Sequence, residues 1–577
     1  MTTAFDPLVP RPIDRPTPMS FDNLDALDAA KIIAAPDDPA EWAAWRAGLA
    51  RWRERAQLGY DGSAYERLTW TQSCFSVALI WLWDERLYDH VAQRFTPETL
   101  LDEADSEFGG YDGIVLWHAY PVIGIDERNQ FDWYRDVPGL RELVSFFQDR
   151  DVRVFVDYNP WDTGTRREPV TDAEAVAELV RAIGADGVFL DTMREAMPEL
   201  RAALPDAAFE GESTLSLERI PDHHLSWAQW FADSPVPGVI RARWFEQRHM
   251  LHHTRRWNRS HAEELRSAWL NGVGMLVWEN VFGSWVGWNE RDKLMLRGVV
   301  GVQRRWANLL THGEWTPLAA RSENLQVVGS RWRRGDDQLW ALANLADEPF
   351  EGEVSLAGRA VMFALPPLGL AAVTPNGVSV FGGGSSRYPA RETVRVVAPL
   401  VRVDEVPDGF VAVEPRPLRA RFRRRETGVY GEVPYVEEWK PLPPRLHDFV
   451  EVDRPAPRGR FAIAVREEPV RGLSLAEARA YADERSMRLP TEDEWQLAVE
   501  AGVLERSEPL VWNWTESEHT DGRTRFAILK GGSAFQAEGS EWYVDGGPQP
   551  PEFSLQYLLA GPLQRSERIG FRLAVDL

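Results

Sequence analysis

The stretch from Val152 to Asp191, VRVFVDYNPWDTGTRREPVTDAEAVAELVRAIGADGVFLD, holds one complete strand–helix–strand pattern. Val152–Val156 is a short apolar, β-branched run, which reads as a buried strand, and Asp157 follows it directly. Thr171 and Glu174 stand three apart as a capping box and predict a helix start. Val176, Leu179, Val180 and Ile183 then keep the i, i+3, i+4, i+7 spacing of one helix face, and Gly184 supplies the stop. Gly187–Leu190 is a second buried run, closed by Asp191. A strand, a helix and a strand of this size imply parallel pairing.

The same pattern extends in both directions. Apolar runs at 75–83, 113–117 and 273–278 read as further strands with helical stretches between them. About eight strands fit within 74–310, so a closed (β/α)8 barrel is predicted, with an open doubly wound sheet as the alternative. Residues 1–73 form a Pro- and Asp-rich tail followed by a helix that spaces Trp42, Trp45, Leu49 and Trp52 along one face. Residues 311–375 break into short segments punctuated by Gly, Asp and Pro and predict a small β-sandwich. Gly382-Gly383-Gly384-Ser385-Ser386 marks 376–399 as a linker, and 400–577 forms a second globular unit of α+β type.

A chain of 577 residues is long enough for about four domains at ~150 residues each. The 44% hydrophobic and 27% charged content is that of a folded protein. The net charge of −24 argues against a nucleic-acid binder and against docking on anionic membranes, because both need a basic surface. A single cysteine, Cys74, excludes an intrachain disulfide and any cysteine-pair metal or redox site. The first twenty residues carry no apolar signal segment and no apolar run approaches ~20 residues, so a soluble, cytoplasmic chain is expected.

Acidic residues recur where barrel strands would end. Asp84, Asp157, Asp191, Glu210, Glu212 and Glu279 each close or follow such a run, and His118 closes another. In a (β/α)8 barrel these ends share one mouth. Paired carboxylates there suit glycoside hydrolysis, one ionised as nucleophile and one protonating the leaving oxygen. Asp191 on one side and Glu210 or Glu212 on the next predicted strand are the candidate catalytic acids. Glu210 and Glu212 share a strand face, so the sequence leaves both open. Asp84, Trp117, His118, Asp157, Asn159, Trp161 and Glu279 are the candidate substrate contacts. Trp83, Trp117, Trp161, Trp278 and Trp285 lie near the same ends as candidate sugar platforms.

On these residues the first half resembles α-amylase-type glycosidase barrels. Val152–Asn159 resembles their third-strand motif, Asp186–Asp191 their fourth-strand nucleophile motif, and Phe209-Glu-Gly-Glu212 takes the place of their acid/base strand. Leu339–Asn344 is similar to the β-sandwich that commonly trails such barrels. The resemblance implies Asp191 as nucleophile and Glu210 or Glu212 as acid/base. The Arg that the pattern places two residues before the nucleophile is Phe189 here.

Four ordered motifs mark the C-terminal unit: Arg488-Leu-Pro-Thr-Glu-Asp-Glu-Trp495, Trp512-Asn-Trp-Thr515, Lys530-Gly-Gly-Ser533 and Gly570-Phe-Arg572. Together they resemble the sulfatase-modifying-factor family of formylglycine-generating enzymes, which implies a C-type-lectin-like α+β fold. The family's copper-binding cysteine pair has no counterpart between 400 and 577, so the resemblance implies the fold and not the oxygen chemistry. No cofactor is expected.

His249, His252, His253 and His261 fall in a stretch read as helical, which would set His249 and His253 on one face. Met250 occupies the place of the Glu in an H-E-x-x-H zinc motif, and no metal site is assigned. Two functional readings emerge: a retaining glycoside hydrolase-like barrel acting on carbohydrate and fused to a catalytically degenerate domain, or a non-enzymatic glycan-binding scaffold.

Overall fold

A computed structural model describes residues 15–118, 125–160, 166–212, 215–229, 233–255, 260–281, 284–389, 394–424, 448–457, 459–537 and 546–577. Eight parallel strands close into a barrel in the order of the sequence. They are β1 (Ser76–Trp81), β2 (Gly113–Trp117), β3 (Arg153–Tyr158), β4 (Gly187–Leu190), β5 (Ala208–Glu212), β6 (Leu225–Gln229), β7 (Met250–Thr254) and β8 (Gly274–Val277). The closed barrel, and not the open sheet, is the outcome.

Ahead of the barrel, α1 (Trp42–Ala56) buries Trp42, Trp45, Leu49 and Trp52. Four large apolar side chains contribute on the order of 6–12 kcal/mol of gross transfer free energy. Trp244 donates to the Leu49 carbonyl and Arg46 to those of Pro317 and Leu318, so this helix bridges the barrel and the sheet that begins at residue 314.

Helices cross back between the strands. α2 (Pro97–Phe108) joins β1 to β2, and α3 (Gln130–Asp136) with α4 (Leu140–Gln148) joins β2 to β3. α5 (Asp172–Ile183) and α6 (Pro198–Ala203) follow β3 and β4. A 3-10 turn over Leu217–Asp222 leads to β6, and α7 (Arg241–Phe245) and α8 (Ala262–Asn271) flank β7. α9 (Glu290–Arg305) and α10 (Ala307–His312) close the series. The expected cap of α5 is present: Thr171 and Glu174 exchange side-chain and backbone hydrogen bonds, and Gly184 ends the helix at φ +78. Gly187 is needed inside the barrel, because a Cβ there would stand 2.5 Å from the Ala208 carbonyl and 2.7 Å from the Phe155 ring.

Seven antiparallel strands come next: β9 (Glu314–Ser322), β10 (Val327–Arg334), β11 (Asp337–Asn344), β12 (Phe350–Leu356), β13 (Arg359–Leu365), β14 (Leu370–Thr374) and β15 (Gly377–Phe381). They hydrogen-bond in the order β13-β12-β9-β10-β11-β14-β15. A register shift between Thr316 and Ala320 bends β9, so it pairs with β10 along its length and with β12 beyond the bend. One face packs on the barrel helices, with Trp269 of α8 donating to the Ala371 carbonyl. The other closes over Ala320, Trp340, Leu342, Val354 and Phe363. The glycine-rich linker is pinned against the start of α9: Arg291 N–H donates to the Ser385 carbonyl and Ser385 N–H to the Glu290 carboxylate.

The C-terminal unit is built on a mixed sheet centred on the hairpin β16 (Trp512–Thr520) and β17 (Arg525–Lys530). Both expected capping boxes start helices there, Ser474/Glu477 for α11 (Leu475–Asp483) and Thr491/Glu494 for α12 (Glu492–Glu500). The sequence motifs interlock in its interior. Arg488 bonds both Glu494 oxygens and Asp576 at 2.7 Å each. Asn513 accepts from Trp495 at 3.1 Å and from Arg572 at 3.0 Å. Buried Lys530 donates to Gln496 and Ser554. These motifs are spaced as they are because their side chains satisfy one another where water does not reach. No helix among the described residues is long and apolar enough to cross a membrane.

Candidate active site

Strand register sets which residues enter the barrel. Asp157, Phe189 and Glu210 lie side by side across β3, β4 and β5. Glu210 meets His252 at 2.6 Å, although β6 separates their strands. Contact across an intervening strand requires both side chains to point inward. With a side-chain period of two, Asn159, Asp191 and Glu212 form the next inward level toward the mouth.

That level is where two carboxylates meet solvent. Asp191 and Glu212 are partly exposed, and Leu190 beside Gly211 makes them neighbours across adjacent strands. Asn159 donates to Asp191 Oδ2 at 3.0 Å, and Gln130 holds Asn159 by accepting from its backbone N–H and donating to its carbonyl. Glu212 is fixed through its backbone, its N–H donating to the Met193 carbonyl at 2.7 Å. Phe189 stacks on buried Trp227, the register neighbour of Glu212, with ring centroids 4.8 Å apart.

The other strand-end residues are engaged elsewhere. Glu210 is wholly buried and bound to His252, whose second nitrogen reaches the Cys74 carbonyl at the base of β1. Burial alone would lower His252, but the Glu210 carboxylate outweighs it and holds the imidazole above its ordinary pKa. Asp84 and Glu279 are buried and share Arg86, which bonds Asp84 twice at 2.9 Å and Glu279 at 3.0 Å. Asp157 is buried with His118 3.5 Å away. Burial pushes His118 down to about 3 despite a hydrogen bond with Gln130, so at neutral pH this is a neutral ring beside a carboxylate. Trp117 meets Trp278 edge to face at 5.7 Å. Trp161 lies outside the described residues.

Two expectations change. Trp83 is no platform: Phe95 stacks on it, Tyr88 meets its edge, and Gly561 of the C-terminal unit covers it so closely that a Cβ there would stand 3.1 Å from the indole. The histidine-rich stretch is not helical, because Met250–Thr254 is β7. His249 and His253 therefore share no helix face, and His249 precedes the strand, buried between Tyr65 and Ser226. Sequence reasoning missed Arg86 and weighed His252 only as part of a histidine-rich helix; Arg86 pairs with Asp84 and Glu279 and His252 with Glu210, and no periodic signal marks either pairing.

The C-terminal unit sits on the rim formed after β8 and β1. The turn Asp521–Thr524 between β16 and β17 reaches both loops. Asn280 Nδ2 donates to buried Thr524 Oγ1 at 2.7 Å, and Trp285 N–H donates to Asp521 Oδ2 at 3.1 Å. Glu85 N–H donates to the Arg523 carbonyl at 2.9 Å. Arg523 binds Glu103 at 2.5 Å, and Glu103 also faces Arg86 at 3.7 Å. Phe526, Ile528, Leu558, Ala560 and Leu563 continue the apolar cluster of the barrel without a break.

Several solved structures are similar to part of this chain. The debranching enzyme from Nostoc punctiforme is 10% identical, with TM-score 0.35, over 55% of this chain and 99% of its own. The noncanonic maltogenic alpha-amylase AmyB from Thermotoga neapolitana is 10% identical, with TM-score 0.36, over 54% and 99%. A cyclomaltodextrinase is 11% identical, with TM-score 0.33, over 54% and 78%. No curated protein matches the chain. Residues 442–509, within the C-terminal unit, match the family described as sulfatase-modifying factor enzyme 1-like domain.

Proposed function

We propose that the barrel is a retaining glycoside hydrolase with Asp191 as nucleophile and Glu212 as general acid/base. One observation carries the reading: two inward carboxylates at one level on adjacent strands reach solvent at the mouth. Retention needs carboxyl groups ~5–5.5 Å apart, which side chains at one level on adjacent strands can reach. Glu212 is preferred to Glu210 because Glu210 is consumed by His252 at the barrel core.

In this reading Asp191 attacks the anomeric carbon while Glu212 gives its proton to the departing glycosidic oxygen. The bond broken is that between the anomeric carbon and the leaving oxygen, and the bond formed is an ester to Asp191. Glu212, now ionised, takes a proton from water, which displaces Asp191 and restores both groups. Asn159 orients the nucleophile through Oδ2.

The test is turnover of α- and β-linked aryl glycosides and oligosaccharides by the full chain, with Asp191→Asn and Glu212→Gln beside it. Removing either carboxylate is expected to lower turnover by more than ~100-fold. Glu212→Gln is expected to lose least on substrates whose leaving group needs no proton. Absence of turnover across the panel, with glycan binding retained, overturns the catalytic assignment and leaves a binding protein.

A further inference from the structure

We infer that the sulfatase-modifying-factor-like domain is a positioning element for the barrel's cleft, and that Thr524 is the residue through which it acts. In an eight-stranded ring β8 stands opposite β4, and β1 opposite β5. The rim that the C-terminal unit holds therefore faces the Asp191/Glu212 rim across the mouth, and a substrate seated on the carboxylates extends toward it.

What the turn holds is the loop after β8. Asn280 and Val281 pair with Trp285 and Ser284 in a small hairpin, and the Asn280 carbonyl accepts from the Trp278 indole at 2.7 Å. Val286 N–H returns to the Glu279 carbonyl at 2.7 Å. This loop fixes Trp278, the edge-to-face partner of Trp117, and carries Trp285, over which the Arg523 guanidinium lies 5.4 Å from the ring centroid. Its ties to the C-terminal unit are side-chain specific. Asn280 donates to the Thr524 hydroxyl inside the protein, and Asp521 accepts from the Trp285 backbone.

The turn is built for this grip. Asp521 Oδ1 accepts from the N–H groups of Arg523 and Thr524 at 3.1 and 2.7 Å, and Gly522 takes φ +78 to close the bend. The Thr524 side chain is thereby driven to the barrel side, where it is fully buried. The charges on either side are matched as well: Glu85 faces Arg525 at 3.1 Å, and Glu103 is shared between Arg523 and Arg86. The domain thus reaches the strand-end acids Asp84 and Glu279 through one connected set of ions. This inference rests on the glycosidase reading for its substrate, but not for the tie itself.

The experiment compares Thr524→Val and Thr524→Ser in the full chain. Hydrogen–deuterium exchange is measured over peptides spanning 278–288, and kcat and KM are measured on the aryl glycoside turned over best. Thr524→Val is expected to speed exchange in 278–288 and raise KM about fivefold to tenfold, the worth of one buried hydrogen bond, with kcat within about twofold. Thr524→Ser is expected to restore both. Unchanged exchange in 278–288 overturns the tie. Faster exchange with unchanged KM overturns the positioning role. Faster exchange in a protein whose parent hydrolyses no glycoside supports the tie and sinks the glycosidase reading alone.

Discussion

Replacing Arg86 with methionine isolates the ion cluster at the β8–β1 rim. The side chain is nearly inaccessible, binds Asp84 through Nε and Nη2 at 2.9 Å each, and reaches Glu279 through Nη1 at 3.0 Å. Both carboxylates are buried. Methionine fills much of the same space, so the loss is electrostatic. Breaking one buried pair by removing a partner costs about 3–5 kcal/mol, and here one cation serves two anions. Arg86→Met is therefore expected to lose at least that range at pH 7, read as the shift in denaturant midpoint against the parent. A deficit under ~1 kcal/mol would refute the view that Arg86 neutralises these acids.

The two glutamates of β5 are expected to separate cleanly. Glu210→Gln leaves His252 buried without its carboxylate and costs about 3–5 kcal/mol, whereas Glu212→Gln at the partly exposed mouth stays within ~1 kcal/mol. Denaturant titrations of both variants decide it, and equal losses would contradict the division of roles. Acid stability is set by other histidines. His118 and His253 are pushed down to about 3, and His90, His223 and His224 to about 4, in each case chiefly by burial. The unfolded chain binds protons on them first, so stability is expected to fall as pH drops from ~6.5 toward 4, by up to ~1.4 kcal/mol per pH unit for each group. His252 has the opposite sign: its pairing stabilises most below its unfolded pKa and is lost as pH rises through its raised folded value. A thermal midpoint that is flat from pH 6.5 to 4.5 would contradict the neutral burial of the five.

Much of the barrel was legible because its strands are buried on both faces and its helices carry caps. The run at 152–156 became β3, and Thr171, Glu174 and Gly184 bound α5 as read. The stretch around His252 misled for a physical reason. Met250, Leu251, His252 and His253 include no β-branched residue, and two polar rings occupy sites that only the barrel interior and its surrounding shell make tenable. His252 is held there by Glu210, a partner 42 residues away. The site was legible as a set of acids but not as a division of labour. Asp84, Glu210 and Glu279 look like Asp191 and Glu212 in the sequence; only tertiary contacts with Arg86 and His252 distinguish them. Nor does spacing reveal that Asp521-Gly-Arg-Thr524, a plain hairpin turn, meets a loop some 240 residues earlier.

The linker and the seam bear on how the two units were joined. The run Gly382–Ser386 is hydrogen-bonded to the start of α9 through Ser385, whereas the seam around Thr524 joins the C-terminal unit to the barrel rim. A cut within that glycine run severs one covalent link and leaves the apolar seam and its charge pairs in place. A nicked chain would keep its shape, and the two fragments made separately would each present the complement of the other. The linker raises their effective concentration, and the recognition between them is already written into their surfaces.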